Sequence, residues 1–339
     1  MSEEEYENQG PDVPPLPAED FITHQPRWFR DALSQAPTSH RVTSEGTEIH
    51  YLKWPTKAKD KRPGILFVHG NGAHARWFDF IAPLLTDKYN VASIDLPGMG
   101  DSDWRESYAR ETYAHAIRTV AFDADLGPKP VIVGHSFGGF VTLITGALYS
   151  AELGGIILAD FKVNPPKDAV EWFMGDPARR PTRLYPDLPT ALARFRLSPL
   201  QECANKFITD YIGPHSLREV KVGENPGRVA SEEAGCTWKF DPFAFQGLKM
   251  GGDEHADMFR NLKCPVGVMY GDISKDHDPA TLAFMRTLRP EAPIFTIPLA
   301  QHHIMLDQPV AFAASVATLM ADWEAKGSFS ATDSNTAAA

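Results

Sequence analysis

Nine residues, Val131 to Gly139 (VIVGHSFGG), constrain this chain more than any other stretch. An apolar run of strand length reaches a serine with a glycine two positions to either side, and a helix-like run, Phe140 to Leu148, follows. A strand that turns at once into a helix holds its turn residue in a strained backbone conformation. Side chains two positions away would collide with the crossing backbone, so glycine is required there. The turn lifts the Ser136 hydroxyl clear of the sheet, and the first N–H groups of the helix lie beside it. A turn that merely happens to contain serine does not need a strand before it and a helix after it; a G-x-S-x-G nucleophile does. The reading therefore demands a base, an acid and an oxyanion site from the rest of the chain.

The surroundings agree with a sheet enzyme. Buried-strand runs recur at Pro63 to Gly70 (PGILFVHG), Asn90 to Asp95, Gly154 to Asp160, Pro265 to Gly271 and from Pro293. Helical patterns separate them at about Arg76 to Leu85, Arg110 to Asp125, Pro279 to Leu288 and Val310 to Ala325. That alternation indicates an α/β fold with a parallel sheet. A hairpin from Arg41, turning at Glu45-Gly46, precedes it. Phe21 to Leu33 reads as a short amphipathic segment that packs Trp28 and Phe29 onto the body. Between Phe161 and Asn261 the rhythm breaks into prolines, aromatics and helical pieces at Thr190 to Phe195 and Glu202 to Ile212. This is too long for an unstructured loop in a compact domain, so it is read as an insertion. The expected organisation is an N-terminal arm over residues 1–35, a core over 36–160 and 263–325, the insertion over 161–262, and a low-complexity tail over 326–339.

Composition removes several classes of function. A net charge of −11 and the lack of a basic run argue against nucleic acid as a partner. The three cysteines, Cys203, Cys236 and Cys264, form no C-x-x-C pair, which implies neither a zinc site nor a disulfide framework. The acidic N-terminus has no signal-peptide pattern and no apolar run is long enough for a membrane span, so a cytoplasmic location is expected. A small-molecule substrate is the expected partner, a homodimer is left open, and no cofactor or metal is expected.

HHIMLDQP, from His302 to Pro309, lies between the last strand and the last helix, where a loop can lean over the C-terminal edge of the sheet. With VIVGHSFGG and HGNG (His69 to Gly72), it makes the chain resemble the α/β-hydrolase family from about residue 40 to 325. The resemblance implies an eight-stranded, mostly parallel sheet flanked by helices, with a helical cap inserted after strand 6. Family members commonly carry H-x-x-x-x-D/E-x-P around the base. His302 fits that spacing and is assigned as base; His303, one residue late, packs or lines the pocket. The resemblance also implies an oxyanion hole from the backbone N–H groups of Phe137 and Asn71. His69 and His74 could be mistaken for a metal pair, but no carboxylate stands beside them and a structural role is the better reading.

The acid has two candidate locations. Many members place it three residues beyond a glycine after the seventh strand, which here is Ser274, and serine carries no charge. Asp272, Asp276 and Asp278 lie nearby, out of step, with Asp272 and Asp276 as the alternative acids. The other location is directly after the sixth strand, where Asp160 closes an apolar run. A carboxylate there is costly to bury without a partner such as an imidazolium, so Asp160 is favoured over the later group, its plain alternative role being a helix or turn cap. Asp95, Asp101 and Asp103 in LPGMGDSD are given structural roles.

The frame looks like that of haloalkane dehalogenases and epoxide hydrolases, whose nucleophile is aspartate. Ser136 calls for acyl transfer instead. The expected activity is hydrolysis of a carboxylic ester or lactone of a small to medium, largely apolar substrate. The alternatives are a C–C bond hydrolase of the meta-cleavage-product type, which would want a cationic cap residue, and a non-catalytic small-molecule receptor. Cap aromatics Trp172, Phe173, Phe195, Trp238 and Phe240 mostly pack the cap onto the core. Arg194, Arg196 and Lys239 are chiefly solvated.

Overall fold

The computed structural model describes residues 25–56, 63–163, 183–224, 232–246, 248, 250 and 254–329. Most of the expected N-terminal arm, the stretch of the insertion with Trp172 and Phe173, and the tail beyond 329 lie outside the described residues.

Eight strands form the main sheet: β1 (Thr38–Ser44), β2 (Thr47–Lys53), β3 (Ile65–Val68), β4 (Val91–Ile94), β5 (Val131–His135), β6 (Gly155–Ala159), β9 (Val266–Gly271) and β10 (Ile294–Ile297). Their order across the sheet is β1-β2-β4-β3-β5-β6-β9-β10. β1 and β2 form the antiparallel hairpin, β2 meets β4 antiparallel, and every later pairing is parallel. Strand β5, which runs into the turn at Ser136, thus lies mid-sheet, with β3 on one side and β6 on the other.

Strand periodicity sends successive side chains to opposite faces, and both faces here are covered. Leu66, Val68, Ile132, Ile156 and Leu158 enter one apolar layer, built with Arg110–Asp123 (α2) and Phe137–Tyr149 (α3). Ile65, Phe67, Val131, Val133 and Ile157 enter the other, which includes Phe29 of α1 (Arg27–Leu33) and the long C-terminal helix α9 (Pro309–Ala325). Each such side chain contributes roughly 1.5–3 kcal/mol by leaving water. This two-sided burial is why the strands read as unbroken apolar runs.

Two expectations need correction. Residues 76–85 do not form one helix; they wind as separate 3-10 turns at Ala75–Phe78 and Ala82–Leu84. Trp77, Phe78, Phe80, Ile81, Ala82 and Leu85 are all buried. A regular helix cannot bury every side at once in a surface layer, and Pro83 interrupts what remains. The insertion between β6 and β9 is also not purely helical. It holds α4 (Leu188–Leu192) and α5 (Lys206–His215), followed by an antiparallel hairpin of β7 (Leu217–Val220) and β8 (Gly235–Trp238). These four-residue strands are too short to show an alternation in sequence. Helix α6 (Glu254–Asn261) closes the insertion and rests on α3 through His255 and Phe140. Among the described residues, no helix is long and apolar enough to cross a membrane.

Candidate active site

Ser136 sits at the junction of β5 and α3 with φ 56° and ψ −120°, a left-handed conformation that costs a non-glycine residue about 1–3 kcal/mol. Its N–H donates to Ala159 O at 2.9 Å, fixing the turn to the next strand. The flanking glycines are obligatory. A Cβ on Gly134 would stand 2.2 Å from Gly138 O, and one on Gly138 would stand 2.4 Å from Val68 O. The strain is thus held in place by close packing of backbone on backbone.

His302 reaches this serine from the loop after β10, with Nε2 2.8 Å from Ser136 Oγ. Its Nδ1 faces two carboxylates, Asp160 Oδ1 at 3.0 Å and Asp276 Oδ2 at 3.3 Å. With the Nδ1–H donated to that side, Nε2 is the free lone pair and the serine hydroxyl donates to it. Asp160 follows β6 directly, has φ 47°, and is 1% exposed. Burial pushes its carboxyl above the usual range, against hydrogen bonds from His302, from Ser274 Oγ at 2.6 Å and from Gly271 N–H at 3.1 Å. Burial also opposes the His302 imidazolium, yet the two carboxylates outweigh it and raise His302 to about 9. Ser274, which stands where the acid was sought, donates its hydroxyl to the carboxylate on the neighbouring strand.

The HGNG loop lies beside Ser136. A Cβ on Gly70 would meet Ser136 Cβ at 3.3 Å and His135 Nδ1 at 3.1 Å. Gly72 has φ 65°, so Asn71 is carried on a turn between two glycines. Phe137 heads α3, where the N–H groups of the first turn have no intrahelical acceptor. His69 holds the loop: its Nδ1–H donates to Gly70 O at 2.7 Å and its Nε2 accepts from Leu96 N–H at 3.0 Å. His74 donates to Ser216 Oγ at 3.0 Å, tying the same loop to the end of α5. Burial keeps both imidazoles neutral, His74 being lowered to about 3. Asp95 is a buried hub that accepts from Ala75 N–H, Asp101 N–H and His50 Nδ1.

The sequence profile described as the alpha/beta hydrolase family matches residues 65–315, about three quarters of the chain. The chain belongs to the alpha/beta hydrolase family. It is similar to 2-(acetamidomethylene)succinate hydrolase of Mesorhizobium japonicum, with 24% identity over 289 residues, covering 81% of this chain and 93% of that protein. A 118-residue stretch is 31% identical to the esterase Rv0045c of Mycobacterium tuberculosis, covering 33% of this chain and 36% of the esterase. The crystal structure of E-2-(acetamidomethylene)succinate hydrolase superposes with a TM-score of 0.67 at 21% identity, over 84% of this chain and 99% of that one. At that identity the superposition speaks for the fold.

Within this alpha/beta hydrolase the other expected residues go elsewhere. Asp272 is exposed and accepts from Ala300 N–H at 3.2 Å rather than from His302. Asp278 caps α7 (Pro279–Leu288) through Thr281. His303 is buried against Trp77, with ring centroids 5.4 Å apart. Lys239 pairs with Asp101, Arg194 and Arg196 are exposed, and Trp238 packs on Tyr185 and Phe195 inside the insertion. Phe240 lies over the same loop, where a Cβ on Gly72 would meet its Cδ1 at 3.7 Å.

Three supporting residues of the hydrolase escaped the sequence reading. His135 donates Nε2–H to His302 O at 2.8 Å, which fixes the backbone of His302. Asp307 accepts from Gln301 N–H at 2.8 Å, and Gln201 of the insertion bridges Asp307 to His303 N–H. The acidic position of H-x-x-x-x-D/E-x-P was the available signal for Asp307; nothing in sequence spacing marks Gln201. Among the described residues three groups bring possible metal-ligand atoms within 4.8 Å of one another: His50–Asp95–Asp101, and two around the serine's histidine, His135–His302–His303 and Asp160–Asp276–His302. His302 is common to the last two, and each of its nitrogens is already hydrogen-bonded within the protein.

Proposed function

We propose that this alpha/beta hydrolase is a serine hydrolase that cleaves a carboxylic ester or lactone of a small to medium, largely apolar substrate through an acyl-enzyme. The observation that carries the reading is the unbroken contact from Ser136 Oγ through His302 to Asp160, 2.8 Å and 3.0 Å long. Ser136 attacks the carbonyl carbon and its proton passes to His302 Nε2. The Nδ1–H stays on the ring, directed at Asp160, and the carboxylate stabilises the imidazolium without taking its proton. The carbonyl oxygen becomes an oxyanion facing the N–H groups of Asn71 and Phe137. His302 then returns the proton to the leaving alcohol, and a water activated by the same nitrogen releases the acid.

The choice of an apolar, neutral ester rests on what surrounds the serine. Phe137 meets Tyr113 and Phe245 edge to face, with centroids 5.2 and 4.8 Å apart. Among the described residues, Arg76, Lys162 and Lys239, cations on elements next to the site, are each paired with a protein carboxylate. A diacid such as the one named for the Mesorhizobium relative, or an acidic C–C cleavage substrate, calls for an unpaired cation instead. Short p-nitrophenyl esters should be hydrolysed by the wild type and not by Ser136→Ala. Equal turnover by both proteins would refute the reading, and tight ligand binding without any turnover would favour a receptor.

A further inference from the structure

Asp276 is not bystander surface charge. It leaves the loop after β9 half-buried, and its two oxygens are divided between partners: Oδ1 lies 3.3 Å from Lys162 Nζ, and Oδ2 lies 3.3 Å from His302 Nδ1. Its N–H donates to Ser274 Oγ at 3.1 Å, and that hydroxyl donates to Asp160 Oδ1 at 2.6 Å. One serine therefore joins the two acids through the ends of two different strands. Lys162 also reaches Asp278 Oδ2 at 3.5 Å and donates to Lys275 O at 3.2 Å, so the loop that presents Asp276 is anchored at several points.

We propose that Asp276 is a positioning residue for His302, a second carboxylate that shares the Nδ1–H with Asp160 and biases the ring toward its charged form. This rests on the reading of His302 as the base. During attack the serine proton moves to Nε2 and the Nδ1–H remains on the ring, so neither carboxylate gains a proton. A second negative charge within hydrogen-bonding reach stabilises the imidazolium formed in that step. It also requires a more alkaline medium to empty Nε2 beforehand.

The other groups facing the ring set the balance. Asp160 at the end of β6 adds to the effect of Asp276, whereas Lys162, which is shared with Asp278, opposes it by neutralising part of Asp276. His135 at the end of β5 and the adjacent His303 are buried and held neutral, and Tyr270 on β9 keeps its proton. Burial disfavours the imidazolium, and the paired carboxylates prevail, in keeping with a value near 9 for His302.

The test is a nitrogen-15 NMR titration of His302 in the full-length protein, assigned by His302→Gln, for wild type, Asp276→Asn and Asp276→Glu. Alongside it, the pH profile of kcat/KM is measured on a p-nitrophenyl ester. Asp276→Asn should move both the NMR midpoint and the acid limb down by about one pH unit or more, leave KM within about twofold, and lower kcat. Asp276→Glu should recover part of the shift, which a merely structural loss would not do. A His302 midpoint unchanged in Asp276→Asn overturns the proposal. The NMR arm needs no turnover: if Ser136→Ala leaves ester hydrolysis intact while the midpoint still moves, the acyl-enzyme reading on Ser136 fails and the second carboxylate stands.

Discussion

The two sides of His302 are built on different principles. On the serine side, a single turn does everything: Ser136 is locked between Gly134 and Gly138, whose close contacts admit no side chain. On the acid side, the work is spread over two strand ends, with Asp160 after β6, Ser274 and Asp276 after β9, and a hydroxyl between them. Steric exclusion is local and leaves a short, rigid pattern in sequence. Electrostatic stabilisation acts over several ångströms and accepts a carboxylate from more than one loop, so its position along the chain can shift while the ring stays served.

This contrast sets the size of the expected effects. Ser136→Ala should lower kcat by about 10⁴-fold or more, since nothing replaces the nucleophile. Asp160→Asn should cost much less, roughly 10- to 100-fold, because Asp276 still accepts the Nδ1–H; the double variant Asp160→Asn/Asp276→Asn should approach about 10⁴-fold. Steady-state kinetics of the three proteins decides this, and an Asp160→Asn enzyme as inactive as the double variant would break the comparison. Gly138→Ala should destabilise the fold by about 2–4 kcal/mol in urea unfolding, as its Cβ meets backbone that cannot retreat. Ser274→Ala sharpens the other side. It removes one of the hydrogen bonds on buried Asp160 and should cost about 1–3 kcal/mol of stability with less than tenfold loss of kcat.

The smallest effect is a stability difference with pH. His302 is raised to about 9 in the fold, so its contribution is complete below its ordinary value and is lost as pH rises through about 9. His135 has the opposite sign. Burial lowers it to about 3, and its contribution is complete above its ordinary value and is lost as pH falls below that value toward 3. The unfolding free energy of wild type minus that of His302→Gln should shrink by about 1–3 kcal/mol between pH 6 and pH 10. A constant difference would mean that the carboxylates do not charge the ring.

The same contrast explains what could be read from the sequence. The sheet strands were legible because burial on two faces forces continuous apolar runs, as in Ile65–Val68 and Gly155–Ala159. Ser136 was legible because its glycines are sterically compulsory. His302 was found by the spacing to Pro309, and Asp160 by an aspartate closing an apolar strand; the structure brings all three side chains together. The shared arrangement with Asp276 was not legible, because the contact depends on how two loops from non-consecutive strands fold over each other. His135 and Gln201 were hidden for the same reason. The Arg76 to Leu85 segment misled because its apolar residues suit a helix, yet all of them except Leu84 are buried, on more sides than one helix could cover.

The central claim is that His302, held by carboxylates, makes Ser136 nucleophilic. It is tested most directly by treating the folded protein with a fluorophosphonate and mapping the adduct by intact and peptide mass spectrometry. A single phosphonyl group should appear on Ser136, be absent in Ser136→Ala, and form at least a hundredfold more slowly in His302→Gln, by an estimate of about 10²–10⁴ for losing the general base. Labelling at another residue, or at Ser136 with the same rate in His302→Gln, would contradict it.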